Sequence, residues 1–227
     1  MIKKILKSPQ SVFVTVSFIF VIVTTVAVFI NDTTDIKWLR MIWNYFLAVI
    51  PVYMALLSKY YSKLEKRVPT VVFSLMWLLF FPNAFYMLTD FKYISKIHFP
   101  VWDIYTVIGS NLTPWILLTN LVISVTAGVI AGIISLEIIH KILKENLGSK
   151  VSWIVITLLM ILTSFGVYIG RFARLNSWDV WNLEKLFDDI MSVMTPFAPV
   201  FILIFTFITM CLYCCYYYFV SSRVNKK

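Results

Sequence analysis

Residues Val151 to Gly170 read VSWIVITLLMILTSFGVYIG, twenty positions without a charge. An α-helix rises about 1.5 Å per residue, so a run of this length crosses a hydrocarbon core of about 30 Å. The same reading applies at five other places, 12–30, 39–58, 69–88, 113–136 and 197–220. None of the six carries a charge at its middle. The first has a basic flank, Lys3, Lys4 and Lys7, as a signal peptide would. Its apolar run is too long for one, and Phe29-Ile30-Asn31-Asp32 offers no small-residue cleavage site. It is therefore read as a sixth membrane helix.

The whole composition agrees with that stretch. Of 227 residues, 60% are hydrophobic and 14% charged, and the mean hydropathy is +0.86. A soluble domain is about 45–50% apolar and about 25% charged. This chain has too few charges to cover a surface facing water, which excludes a soluble enzyme and a disordered chain. The expected fold is all-α: a polytopic membrane helix bundle of six transmembrane helices, forming one integral membrane domain over residues 1–227.

The net charge of +9 is then a question of orientation. With the N-terminus inside, thirteen Lys and Arg fall in inner segments and seven in outer ones, while acids number three and eight. Lys and Arg concentrate on the cytoplasmic side, so both termini are expected there. The surplus of positive charge reports topology, and nucleic-acid binding loses its motivation.

The outer loops are the elaborate ones. In the third, Leu183, Leu186, Phe187, Ile190, Met191 and Met194 recur at helical spacing, with Glu184, Lys185, Asp188 and Asp189 opposite. That pattern predicts an amphipathic helix lying flat on the outer interface. Six of eight tryptophans, Trp38, Trp43, Trp102, Trp115, Trp178 and Trp181, also fall at outer boundaries. Gly128/Gly132 and Gly166/Gly170 form two small-x-x-x-small pairs, which let helix backbones approach closely.

Several chemistries lack their residues. There is no HExxH, no P-loop and no GxSxG. His98 and His140 are expected on opposite sides of the membrane, the first as a loop residue and the second as a cation near the last carbonyls of helix four. Cys211, Cys214 and Cys215 cluster in one apolar run without nearby His or Asp, and read as reduced bystanders. No carboxylate sits mid-membrane, which weakens ion-coupled transport.

Two polar stretches remain. Phe80 to Asp90, FFPNAFYMLTD, closes helix three. Pro82 frees the carbonyl of Leu78, and in lipid such a group needs a partner that Asn83 can help supply. Gly166 to Asp179, GVYIGRFARLNSWD, closes helix five. Arg171 and Arg174 share a face if the helix continues. They suit a phosphate or carboxylate, or equally a structural lock on Asp90, Asp103 or Asp179. Asn44 and these residues all fall on the outer side, ringed by Trp102, Trp115, Trp178 and Trp181.

These stretches resemble the bacterial membrane-protein family catalogued as domain of unknown function 1361. Its pattern Trp-Leu-x-Phe-x-Pro-Asn-Ala-x-Tyr-x-x-Thr-Asp is met by Trp77, Leu78, Phe80, Pro82, Asn83, Ala84, Tyr86, Thr89 and Asp90. Its pattern Tyr-x-Gly-Arg-Phe-x-Arg-x-Asn-Ser-Trp-Asp is met in full by Tyr168 to Asp179. Shorter matches depart from the family: Trp102 and Asp103 are adjacent where it has Trp-x-Asp, and Gly132 to Leu136 has one residue more than Gly-x-Ser-Leu. The resemblance covers helices two to six. The family carries no assigned activity, so it implies where a site lies and not its chemistry.

The expectation is a non-enzymatic, multi-pass protein of the bacterial cytoplasmic membrane, with no cofactor, no metal and no nucleic-acid partner. Its candidate binding residues are Asn83, Asp90, Asp103, Arg171, Arg174, Asn176, Trp178 and Asp179. Beyond the lipid bilayer, the partner is a lipid head group or an envelope protein. Two alternatives stand beside it. One is an enzyme on a lipid-linked envelope substrate, with Asp90 or Asp179 as base and the two arginines on phosphate. The other is a small-solute carrier using the Pro82 break.

Overall fold

The longest helix among the described residues stops where the backbone changes hand, not where hydropathy falls. Gly148 adopts φ 78°, the left-handed region that costs glycine little, and it alone separates two long helices. The computed structural model describes residues 8–30, 38–97, 112–175 and 183–224. Its helices are α1 (Pro9–Ile30), α2 (Leu39–Lys63), α3 (Arg67–Tyr86), α4 (Thr113–Leu147), α5 (Ser149–Phe172), α6 (Leu183–Val193) and α7 (Phe197–Val224), with a 3-10 helix over Met87–Lys96 after α3. There is no strand among the described residues.

Six of these helices are long and apolar enough to cross a membrane. Their outward faces carry Ile154, Leu158, Leu203 and Phe207, each at least 60% exposed. Water would not tolerate so continuous an apolar surface; lipid covers it at no cost. α6 is the amphipathic segment read from the sequence: Phe187 and Met191 are exposed, Leu186 and Ile190 half-buried.

Several ends differ from expectation. The fourth helix was expected to stop near Leu136, where charge begins, but runs to Leu147. At about 1.5 Å per residue its 35 residues reach about 52 Å, beyond the apolar core. Nothing between Glu137 and Leu147 breaks a helix, and Lys141 pairs with Glu137 one turn back at 2.6 Å. α2 likewise runs past Ser58 to Lys63, and α1, α5 and α7 gain residues at their ends. Helix three was expected to reach Leu88; its α-helical winding ends at Tyr86 and tightens to 3-10.

α4 is the central element. It packs against α1, α2, α3, α5 and α7, while α2 and α3 form the most extensive single pairing. A three-residue link joins α2 to α3, with Glu65 at φ 56° making the turn. Polar hooks lock the helices where lipid gives no hydrophobic drive for association. Ser58 and Ser74 share a 2.8 Å hydrogen bond between α2 and α3. Thr24 and Thr25 of α1 donate to Asn120 Oδ1 of α4 at 2.9 and 3.1 Å. Ser17 of α1 bonds the Tyr45 hydroxyl of α2.

Candidate functional site

The end of α3 is held from two sides by glycine. A Cβ at Gly132 would lie 2.9 Å from Ala84 Cβ, and one at Gly128 would lie 2.6 Å from Met87 Cγ. From α5, a Cβ at Gly166 would lie 2.8 Å from the Pro82 ring. Both small-residue pairs therefore serve one stretch, Pro82 to Met87. Ser135, one turn past Gly132, accepts the Trp77 indole N–H at 3.1 Å. The helix continues through Pro82, and Asn83 Nδ2 donates at 2.9 Å to the carbonyl of Phe80 rather than of Leu78.

Beyond Tyr86 the tighter winding sets which side chains turn inward. A 3-10 helix repeats every three residues. Met87 and Asp90 are fully buried and Tyr93 half-buried, while Phe91, Lys92, Ile94 and Ser95 face outward. That register carries a carboxylate into the bundle. Asp90 Oδ1 accepts Arg171 Nη2 at 2.6 Å, and Oδ2 accepts Asn44 Nδ2 at 3.0 Å. The Arg171 side chain is 10% exposed and that of Asp90 1%. Arg171 also donates to the Thr89 hydroxyl, and its guanidinium lies 4.2 Å from the Tyr86 ring centre. α2, α3 with its 3-10 extension, and α5 are thus tied at one point. The Arg171 Nε is buried without a partner among the described residues.

A cavity of about 1020 Å³ opens beside this lock, between α2, α3 and α5. Arg40, Lys92, Arg171 and Arg174 line it, and no Asp or Glu does among the described residues. Its wall also includes Leu47, Leu78, Leu79, Leu162 and Phe165. Leu186 and Ile190 of α6 close over part of it. The end of α6 is fixed to α5, since the Tyr168 hydroxyl donates to the Val193 carbonyl.

Of the residues singled out in the sequence, Asn83, Asp90, Arg171 and Arg174 come together here. Asp103, Asn176, Trp178 and Asp179 lie outside the described residues, as do His98, Trp102 and Trp181. Arg171 and Arg174 do not share a helix face. α5 ends at Phe172, and Arg174 sits at φ 58°, exposed on the cavity wall. Arg171 is the buried lock and Arg174 a wall residue. Trp43 lines the cavity; Trp115, 60% exposed at the start of α4, does not. Sequence reasoning missed Arg40 and Lys92, counted only as topological charge. The available signal was the spacing of Arg40 and Asn44, one helical turn apart on α2.

The opposite end of the bundle is polar in a different way. His140 is not a terminal cation on the last carbonyls of α4, for it is 2% exposed and nearly two turns from Leu147. Its Nδ1 shares a 2.7 Å hydrogen bond with Tyr213 OH, and its Nε2 one of 3.3 Å with Ser152 Oγ. Glu137 accepts from Tyr216 OH at 2.7 Å and from Lys141. Cys211, Cys214 and Cys215 are free thiols. No group of three or more metal-ligating side chains occurs among the described residues.

A family model described as "Protein of unknown function (DUF1361)" matches residues 43–212. The chain belongs to that family. The matched stretch holds Asn44, Asp90 and Arg171; α1 and the last turns of α7 fall outside it. No curated protein and no solved structure matches the chain.

Proposed function

We propose that this member of the DUF1361 family binds the anionic head group of an amphiphile in the cavity beside Asp90 and Arg171. The cavity faces the extracytoplasmic side of a cytoplasmic membrane, with both termini in the cytoplasm. One observation carries the reading: a single volume has four cations and no carboxylate among its described lining residues, together with uncharged polar side chains such as Asn44 and Asn83 and a larger apolar share that includes Leu47, Leu78, Leu79, Leu162 and Phe165. Cations gathered along one cleft repel one another and raise the local concentration of an anion. Leu79 and Leu162, 37% and 49% exposed, belong both to the cavity wall and to the outer surface of the bundle. A chain attached to the anion can pass between them into lipid.

Both oxygens of Asp90 already accept hydrogen bonds, from Arg171 and from Asn44, so this carboxylate is a lock and not a base poised for proton transfer.

Two experiments test this. The purified protein in a neutral detergent is titrated with an anionic amphiphile and with a zwitterionic one of equal chain length. The anionic one is expected to raise the melting temperature saturably, because it binds only the folded state. Equal responses overturn the reading. Orientation is tested by Ser95→Cys and Lys63→Cys in a background with the three native cysteines changed to Ser. In intact cells, a membrane-impermeant thiol reagent should label the first and not the second. The reverse places the cavity in the cytoplasm.

A further inference from the structure

The charge on the cavity wall narrows the chemistry of the head group, and this step rests on the reading of the cavity as an anion site. Arg171 is neutralised by Asp90 behind it. That leaves Arg40 from α2, Lys92 from the 3-10 helix and Arg174 from the end of α5, each exposed and none in a salt bridge among the described residues. All three line the same volume as Arg171, and Lys92 lies within Coulombic range of the three arginines and of Asp90. The acids of α6, Glu184, Asp188 and Asp189, are not among the lining residues, although Leu186 and Ile190 of that helix are. Among the described residues the wall therefore presents three positive charges without a salt-bridge partner.

A phosphodiester brings one negative charge to such a wall and leaves two cations facing each other unscreened. A phosphomonoester brings about 1.5 to 2 at neutral pH, and three oxygens to accept from the donors. A diphosphate brings more. Arginine forks match such oxygens two at a time, and lysine adds a point charge. We propose that the ligand is an amphiphile ending in a phosphomonoester or a diphosphate, held by Arg40, Lys92 and Arg174, with its chain against Leu78, Leu79 and Leu162.

The test uses the full chain in a neutral detergent at neutral pH, with a zwitterionic dodecyl control and four anionic probes: dodecyl phosphate, dodecyl diphosphate, the methyl diester of dodecyl phosphate, and inorganic pyrophosphate. Dodecyl phosphate and dodecyl diphosphate are expected to bind at least about tenfold more tightly than the diester, a difference of about 1.4 kcal/mol. Arg40→Gln and Lys92→Gln should each narrow that gap without lowering the melting temperature of the unliganded protein. A diester that binds as tightly as the monoester overturns this inference and leaves the anionic-amphiphile reading standing. Anionic probes that bind no better than a zwitterionic control remove both. Pyrophosphate that matches dodecyl diphosphate overturns the amphiphile and assigns the site to a free phosphate anion.

Discussion

The two ends of the bundle both bring charge among apolar helices, and they resolve it in opposite ways. At the His140 end the polar side chains packed between the helices are spent on one another. His140 holds Tyr213 and Ser152, and Glu137 holds Tyr216 and Lys141. At the Asp90 end one carboxylate is spent on Arg171 and Asn44, while three further cations line an open cavity. A closed polar cluster fastens helices together. A cluster whose described residues carry surplus charge of one sign, with space beside it, supports the proposed anion site. Composition alone does not separate the two, since each end has acids, bases and aromatic rings.

The largest expected effect is at the lock. Asp90→Ala leaves the Arg171 guanidinium buried and unpaired, which costs about 3–5 kcal/mol. Thermal unfolding in detergent checks it. Asp90→Leu with Arg171→Met removes both charges and should recover most of the loss, because a buried pair adds little net stability. No recovery would mean that the pair does more than satisfy itself.

Next is the clasp on α3. Gly128→Ala sets a methyl group 2.6 Å from Met87 Cγ, and Gly132→Ala one 2.9 Å from Ala84 Cβ. Met87 is a flexible side chain and can yield; Ala84 cannot. Both overpack, by about 1–3 kcal/mol, and Gly132→Ala should cost the more of the two in the same unfolding measurement.

These two predictions concern parts that were readable in the sequence to different depths. The six spans and the amphipathic α6 were legible because an apolar run and a helical repeat are local patterns. The Asp90–Arg171 pair stood among the stated alternatives, because both residues lie in the stretches that close helices three and five. Its partner Asn44 was placed at the same end of the bundle, without a role. Arg40 and Lys92 were not legible as site residues, for a flanking cation reads first as a topology signal. The inward turn of Asp90 depends on a switch to three residues per turn after Tyr86, and no residue there announces it. The length of α4 was misjudged because hydropathy ends at Leu136, whereas the helix ends only where Gly148 changes hand.

At the closed end the expected effects are smaller. Tyr213→Phe removes the hydroxyl on His140 Nδ1 and should cost about 0.6 kcal/mol, and at most about 1.7, as hydrogen bonds between membrane helices do. It should leave ligand binding at the other end unchanged. A variant that keeps its stability but loses binding would couple the two ends and break the comparison.

The smallest effect on folding is expected where the effect on binding is greatest. Arg174→Gln alone should shift unliganded stability by less than about 0.5 kcal/mol, since the residue is exposed and in no salt bridge among the described residues. The most direct measurement is therefore the combined variant Arg40→Gln, Lys92→Gln and Arg174→Gln, melted with and without dodecyl phosphate beside the unaltered protein. The unliganded variant should melt at the same temperature or slightly higher, relieved of repulsion among like charges, and should lose the ligand-induced rise. A variant that retains the rise would show that these cations do not hold the ligand, and one that melts far lower without ligand would show that they hold the fold.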